Sequence, residues 1–192
     1  HRDEQKRDDL GGQLSAVDLE TGREDLVDGS GGRVEPAYAT PVISDGRVLW
    51  NRPVPDRDGR LRGRTVIWRT GSDAEPRVLK LSPEASAGSI AIDGARLVYV
   101  AESGDVPGLP YPGTDVFTAP ITGGNATQLS DHGVVNWVDA ADGQVVWSQI
   151  KDTSRVDRQT PFSHWSRPID GSRPAVRIQE GPSDSNVDVG SG

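Results

Sequence analysis

The feature that most constrains this chain is a repeat. An Asp-Gly pair stands between two apolar runs three times: Pro41-Val-Ile-Ser-Asp45-Gly46-Arg-Val-Leu-Trp50, Ser89-Ile-Ala-Ile-Asp93-Gly94-Ala-Arg-Leu-Val-Tyr99, and Val138-Asp-Ala-Ala-Asp142-Gly143-Gln-Val-Val-Trp147. The pairs lie 48 and 49 residues apart. Asp-Gly between apolar strands predicts a tight hairpin, because both residues tolerate positive φ. A second apolar stretch follows each hairpin, at 65–68, 115–117 and 162–165. A glycine-containing turn comes next, at Gly71, Gly123-Gly124 and Gly171, and leads into short strands at 77–79, 126–129 and 175–178.

Four strands per unit of roughly 40 to 50 residues is the period of a propeller blade. The ends of the chain fit the same ruler. Leu14-Ser-Ala-Val-Asp-Leu19, a turn at Thr21-Gly22 and Leu26-Val27 match the third and fourth strands of a unit, and residues 185–192 fall where another first strand would begin. The expectation is an all-β chain of β-propeller blades, each of four antiparallel strands. Whole blades are expected at 37–82, 83–130 and 131–181, a partial blade at 12–36, a partial strand at 182–192, and a charged flexible segment at 1–11. Such a set is an open or partial propeller, a piece of a larger ring, or one of two chains paired edge to edge. A β-sandwich with evenly spaced turns is the other architecture compatible with the pattern.

The arrangement resembles the TolB-type WD-like propeller repeat, in which a proline or serine precedes the Asp-Gly turn and a late leucine follows a Gly-Gly-like turn. Pro41, Gly123-Gly124 and Leu129 carry the match, whereas Ser86-Ala-Gly-Ser89 and Asn136-Trp137-Val138 lack the usual proline. The resemblance implies a protein-interaction module outside the cytoplasm. Ala16-Val-Asp-Leu-Glu-Thr-Gly22 is also similar to quinoprotein propeller repeats, but those carry Trp where Leu26 stands.

Composition removes several function classes. With 21 Lys and Arg against 29 Asp and Glu, the net charge is -8. That disfavours nucleic acid, whose phosphates need clustered cations. Arg57, Arg60, Arg62 and Arg64 do gather, but Asp56 and Asp58 interleave with them, which reads as a solvated loop. No apolar run approaches the length of a membrane helix. The stretch from His1 to Asp9 is almost wholly charged, so the expectation is that any leader has already been removed. Cysteine is absent, which excludes disulfides and thiolate chemistry.

Function is expected in the long loops between second and third strands, at 51–64, 101–114 and 148–161. In the first loop, Asp56 and Asp58 stand as Asp-x-Asp-Gly, the start of a calcium loop without its closing Glu. The second offers Asp105 and, among stiffening prolines, the aromatic ring of Tyr111. The third offers Arg155 in a mixed-charge stretch. These five are the candidate ligand-binding residues, for a protein, peptide or glycan partner.

No catalytic residue, metal ligand set or cofactor motif is expected. The nucleophile elbow, the phosphate loops and the zinc signatures are missing. His1, His132 and His164 have no companions at ligand spacing. Trp50, Trp68, Trp147 and Trp165 recur at matching repeat positions and read as core, with Trp137 on a first strand. The primary expectation is a non-enzymatic binding module able to self-associate through open blade edges. The alternative is the propeller of a hydrolase, prolyl-oligopeptidase-like or a glycosidase, whose catalytic site lies elsewhere.

Overall fold

A computed structural model of the chain describes residues 14–28, 41–55, 58, 61–72, 74–85, 89–110, 112–131, 133–150 and 162–180. Every regular element among them is a strand. The chain starts with a two-stranded antiparallel ribbon, β1 (Leu14–Val17) and β2 (Glu24–Asp28). The first four-stranded sheet follows in strict chain order: β3 (Val42–Ser44), β4 (Arg47–Pro55), β5 (Leu61–Arg69) and β6 (Arg77–Val78). A short link, β7 (Leu81–Ser82), leads to the second sheet of β8 (Ile90–Asp93), β9 (Arg96–Gly104), β10 (Gly113–Pro120) and β12 (Thr127–Gln128). Between its last two strands, β11 (Gly124–Asn125) leaves the sheet and pairs in parallel with β7. The third sheet is β13 (Val134–Ala141), β14 (Gln144–Ile150), β15 (Ser163–Pro168) and β16 (Val176–Glu180). All three sheets are antiparallel meanders, as the alternating turns predict.

The hairpin turns follow the Asp-Gly pairs, with one shift of register. Asp45 (φ 50°) and Gly46 (φ 66°) form the first turn, and Asp142 (φ 52°) and Gly143 (φ 75°) the third. Positive φ at both central residues is the twist-matched hairpin turn. In the second hairpin Asp93 still pairs with Arg96, so the turn is Gly94-Ala95 and only Gly94 (φ 53°) is left-handed. The cause is one extra residue, Ala95. Trp50 and Trp147 each follow their aspartate by five positions, Tyr99 by six. Freed from the turn, the Asp93 carboxylate accepts the Gly143 N–H at 2.6 Å and so ties the second hairpin to the third.

The sheets stack face to face in chain order. β9 reads Arg-Leu-Val-Tyr-Val-Ala because both of its faces are covered. Leu97, Tyr99 and Ala101 point one way, with Ile90, Ile92, Phe117 and Ala119, and meet Leu49, Leu79 and Leu81 of the first sheet and its link. Val98 and Val100 point the other way, with Ala91 and Val116, and meet Val135, Val138, Val145 and Trp147 of the third sheet. A third apolar layer seats Leu14 and Ala16 of the ribbon on Val48, Trp50, Val66 and Trp68. Burying each of the Val, Leu, Ile and Phe side chains stabilises by about 1.5–3 kcal/mol. The first strands lie side by side, β3 against β8 and β8 against β13. Of the five tryptophans, Trp50, Trp68 and Trp147 are buried, and Trp137 and Trp165 are half-buried.

Two expected loops are shorter than the sequence suggests. β4 and β5 stay paired out to Pro55 opposite Leu61, so most of 51–64 is a β-ribbon. Among the described residues β4 has no partner on its β3 side beyond Leu49, and a strand edge without a partner tolerates prolines such as Pro53 and Pro55. Likewise β9 and β10 pair out to Gly104 opposite Gly113. The third loop is ordered as strand to Ile150; its remainder, 151–161, lies outside the described residues.

Candidate functional site

Two of the five expected site residues, Asp58 and Asp105, lie at the tips of second hairpins. Asp58 sits exposed in the turn that joins β4 to β5. Asp105 sits exposed at the start of the β9–β10 tip. Asp56, Tyr111 and Arg155 lie outside the described residues. Asp58 and Asp105 therefore stand on separate hairpins of neighbouring sheets, each at the end of a long paired ribbon.

The β9–β10 tip is held by packing rather than left free. Its backbone closes a turn through Leu109 N–H to the Val106 carbonyl at 3.2 Å. Val106 is buried beneath it. The reason lies in two glycines. A Cβ on Gly113 would collide with the Val106 side chain and come within 2.9 Å of the Gly133 carbonyl oxygen. With only hydrogen there, Thr114 N–H reaches the Gly133 carbonyl at 2.9 Å, and the Thr114 hydroxyl accepts Val135 N–H at 2.8 Å and donates to its carbonyl at 2.9 Å. The tip is thereby fixed on the start of β13, and Pro107, Pro110 and Pro112 restrict it further. Asp105 is thus an exposed carboxylate on a pre-ordered loop.

Polar groups that the sequence did not single out are buried in the second and third sheets. Asp115 on β10 is fully buried. Its carboxylate accepts the Ser130 hydroxyl at 2.6 Å and Gln128 Nε2 at 3.0 Å, while Ser130 Oγ accepts Val116 N–H at 2.9 Å. This closed ring locks the short β12 onto β10, because its donors are spent within the sheet. On β14, Gln149 receives Trp147 Nε1–H at 3.0 Å and donates to the Asp131 carbonyl. Ser148 faces His164 across the β14–β15 ladder. Both are buried, and the Ser148 hydroxyl donates to Asn136 Oδ1 at 2.8 Å. A serine beside a histidine without solvent access has no route to substrate. Only pairing partners 12 to 18 residues away reveal these clusters, so no local pattern announced them.

Two exposed aspartates serve turns. Asp18 accepts the N–H groups of Thr21 and Glu20, each at 2.9 Å. The Thr21 bond, foremost, holds its carboxyl below the usual carboxylate range. Asp170 is lowered in the same way, by its hydrogen bonds from Ser172. Among the described residues no group of three His, Asp or Glu side chains could hold a metal ion, and no helix is long and apolar enough to cross a membrane.

No family model matches this chain, and no curated protein matches it. Among solved structures it is similar to a serine-to-alanine variant of the AtxE2 isopeptidase with Astexin3-dC4 bound, at 12% identity and a TM-score of 0.44. That match covers 91% of this chain and 25% of the isopeptidase chain. The chain thus spans about a quarter of the length of that structure, and a likeness this distant transfers no activity.

Proposed function

We propose that the chain is a non-catalytic binding module of propeller type, in which the three four-stranded meanders are blades and the tips of the second hairpins form the ligand face. One observation carries the reading. Three meanders of the same strand order stack face to face in chain order, with their first strands adjacent. Blades around an axis have that arrangement. In blade topology the β4–β5 and β9–β10 tips lie on one side, which brings Asp58 and Asp105 to a shared face. The partner is a protein, peptide or glycan met outside the cytoplasm, as the TolB-type resemblance implies. Rigid, exposed polar groups on ordered loops are the usual hardware for such recognition.

The test is a binding screen of the labelled chain on peptide and glycan arrays, followed by Asp58→Ala and Asp105→Ala on the strongest hit. Loss of affinity of about tenfold or more, with an unchanged unfolding midpoint, supports the ligand face. Unchanged affinity in the double variant removes it. Turnover of any arrayed peptide or glycan sinks the non-catalytic reading.

A further inference from the structure

The first sheet has an unsolved charge problem at the end opposite its β4–β5 tip. Arg47 on β4 and Arg69 on β5 are directly opposite in the ladder. Arg77 on β6 is opposite Ile67, two residues from Arg69 along the same strand. Residues two apart share a face, so three guanidinium groups crowd one side of the sheet. Like charges directly opposite across strands are destabilising, and the nearby carboxylates do little to offset them. Asp45 reaches Arg47 Nη1 only at 3.8 Å. Arg77 Nη1 donates to the Thr122 carbonyl at 3.2 Å instead of to an acid. Glu75 lies on the same wall. Arg69 makes no ion pair among the described residues.

These groups border a cavity of about 250 Å³, whose remaining walls include Ile67, Trp68, Ser72 and Ala74. We propose that this cavity binds a carboxylate group carried on a short aliphatic stem. The planar forks of Arg47, Arg69 and Arg77 match a carboxylate in shape and charge. Ser72 adds a hydroxyl, and Ile67 and Ala74 supply apolar wall for the stem. The volume suits one side-chain-sized ligand. Glu75 and the chain's net charge of -8 oppose a larger polyanion. The site is separate from the hairpin tips. β4 runs nine residues from Arg47 to Pro55, roughly 25–30 Å at the rise of a strand. The two sites can therefore fail independently.

The experiment is an NMR titration of the isotope-labelled full chain with glutarate, matched in ionic strength by sodium chloride, and in parallel with inorganic phosphate. The expected result is a saturable shift of the Arg47, Arg69 and Arg77 Nε–H signals and of the Ile67 methyl signals with glutarate alone. Arg69→Ala should weaken that binding by about tenfold, the loss of one charge-assisted contact. Arg69→Lys, which keeps the charge but not the fork, should weaken it by about threefold. Arg69 is exposed, so neither change threatens the fold, and an unaltered unfolding midpoint checks this. Shifts that fail to saturate or that chloride reproduces overturn the site. Affinity unchanged in Arg69→Ala overturns the arginine assignment. Phosphate binding as tight as glutarate overturns the carboxylate class.

Discussion

The second sheet meets its two neighbours in different ways. Toward the first sheet it offers Leu97, Tyr99, Ala101 and Phe117, and the contact is mainly apolar, with Arg77 Nη1 of the first sheet donating to the Thr122 carbonyl at 3.2 Å. Its outer edge is closed by backbone, with β11 parallel to β7 and Gly124 N–H on the Lys80 carbonyl at 2.8 Å. That clamp depends on Gly123, where a Cβ would come within 2.9 Å of the same carbonyl oxygen. Toward the third sheet the apolar layer is comparable, but side chains fasten it. Ser89 Oγ accepts Val138 N–H at 2.8 Å, Asp93 holds Gly143 N–H, and Thr114 brackets Val135. Arg167 reaches back to the Leu129 carbonyl at 2.7 Å. One interface therefore rests on apolar packing and a backbone clamp with one side-chain hydrogen bond, and the other is fastened by several. In a stack of similar units, side-chain latches are what fix one unit against a particular neighbour.

The largest effects should not distinguish the interfaces. Trp147→Ala, between the second and third sheets, should cost about 4 kcal/mol, and Leu97→Ala, between the first and second, about 3 kcal/mol. Urea unfolding reads both. The contrast breaks if either truncation costs less than about 1 kcal/mol, because apolar packing would then not be common to both contacts.

Next comes Arg167, whose guanidinium donates to three carbonyls, those of Leu129, Arg173 and Gly171, at 2.7, 2.7 and 2.9 Å. Arg167→Ala should destabilise by about 2 kcal/mol, since the buried Leu129 carbonyl loses its charged donor along with two more exposed carbonyls. Arg167→Lys should recover less than half, because an ammonium cannot span three acceptors. Hydrogen exchange should speed up at β12 and β13 and leave β7 and β11 unchanged. Equal acceleration at both edges would erase the asymmetry.

The asymmetry was only partly legible in the sequence. The all-β class and the four-stranded meanders follow from the spacing of Asp45, Asp93 and Asp142, since tight turns are set by local φ. The shifted turn at Gly94-Ala95 was also written there, in the six-residue step to Tyr99. It is hidden because Asp-Gly reads the same whether or not it occupies the turn. Ser89, Thr114 and Arg167 were not legible, because each finds its partner in another sheet, 21 to 49 residues away. The ribbons beyond Asn51 and Ala101 read as loops in the sequence because prolines and charges mark loops statistically, whereas a two-stranded ribbon edge without a partner accepts them. Of the five candidate site residues, only Asp58 and Asp105 fall within the described chain, and their exposure at hairpin tips agrees with their charge.

Alkaline pH should probe the apolar interface selectively. Burial pushes the Tyr99 hydroxyl up from 10 to about 12, and that hydroxyl donates to the Pro83 carbonyl at 3.1 Å. The unfolded chain loses this proton first. The stabilisation is complete below pH 10 and declines as pH rises toward about 12. At about 1.4 kcal/mol per pH unit, moderated by relaxation of the buried site, the loss should be about 1–2 kcal/mol. Tyr99→Phe should remove this alkaline window and leave other titrations in place. If exchange in that pH range quickened first at β13 and not at β7, Tyr99 would not stabilise the first interface.

The smallest expected effect is the most discriminating. Asp93→Ala removes one acceptor from Gly143 N–H and should cost about 1 kcal/mol, while Asp45→Ala loses only a 3.8 Å contact to Arg47 and the left-handed preference of its turn position. Asp45→Asn keeps that preference and should change stability by less than about 0.5 kcal/mol. Asp93→Asn retains an acceptor oxygen but not the charge, so it should fall between Asp93→Ala and the parent chain. Thermal unfolding of all four variants orders them. If Asp93→Ala and Asp45→Asn prove equal, the Asp93 bridge contributes nothing net, and the latches of Ser89, Thr114 and Arg167 alone set the third-sheet contact apart from the first.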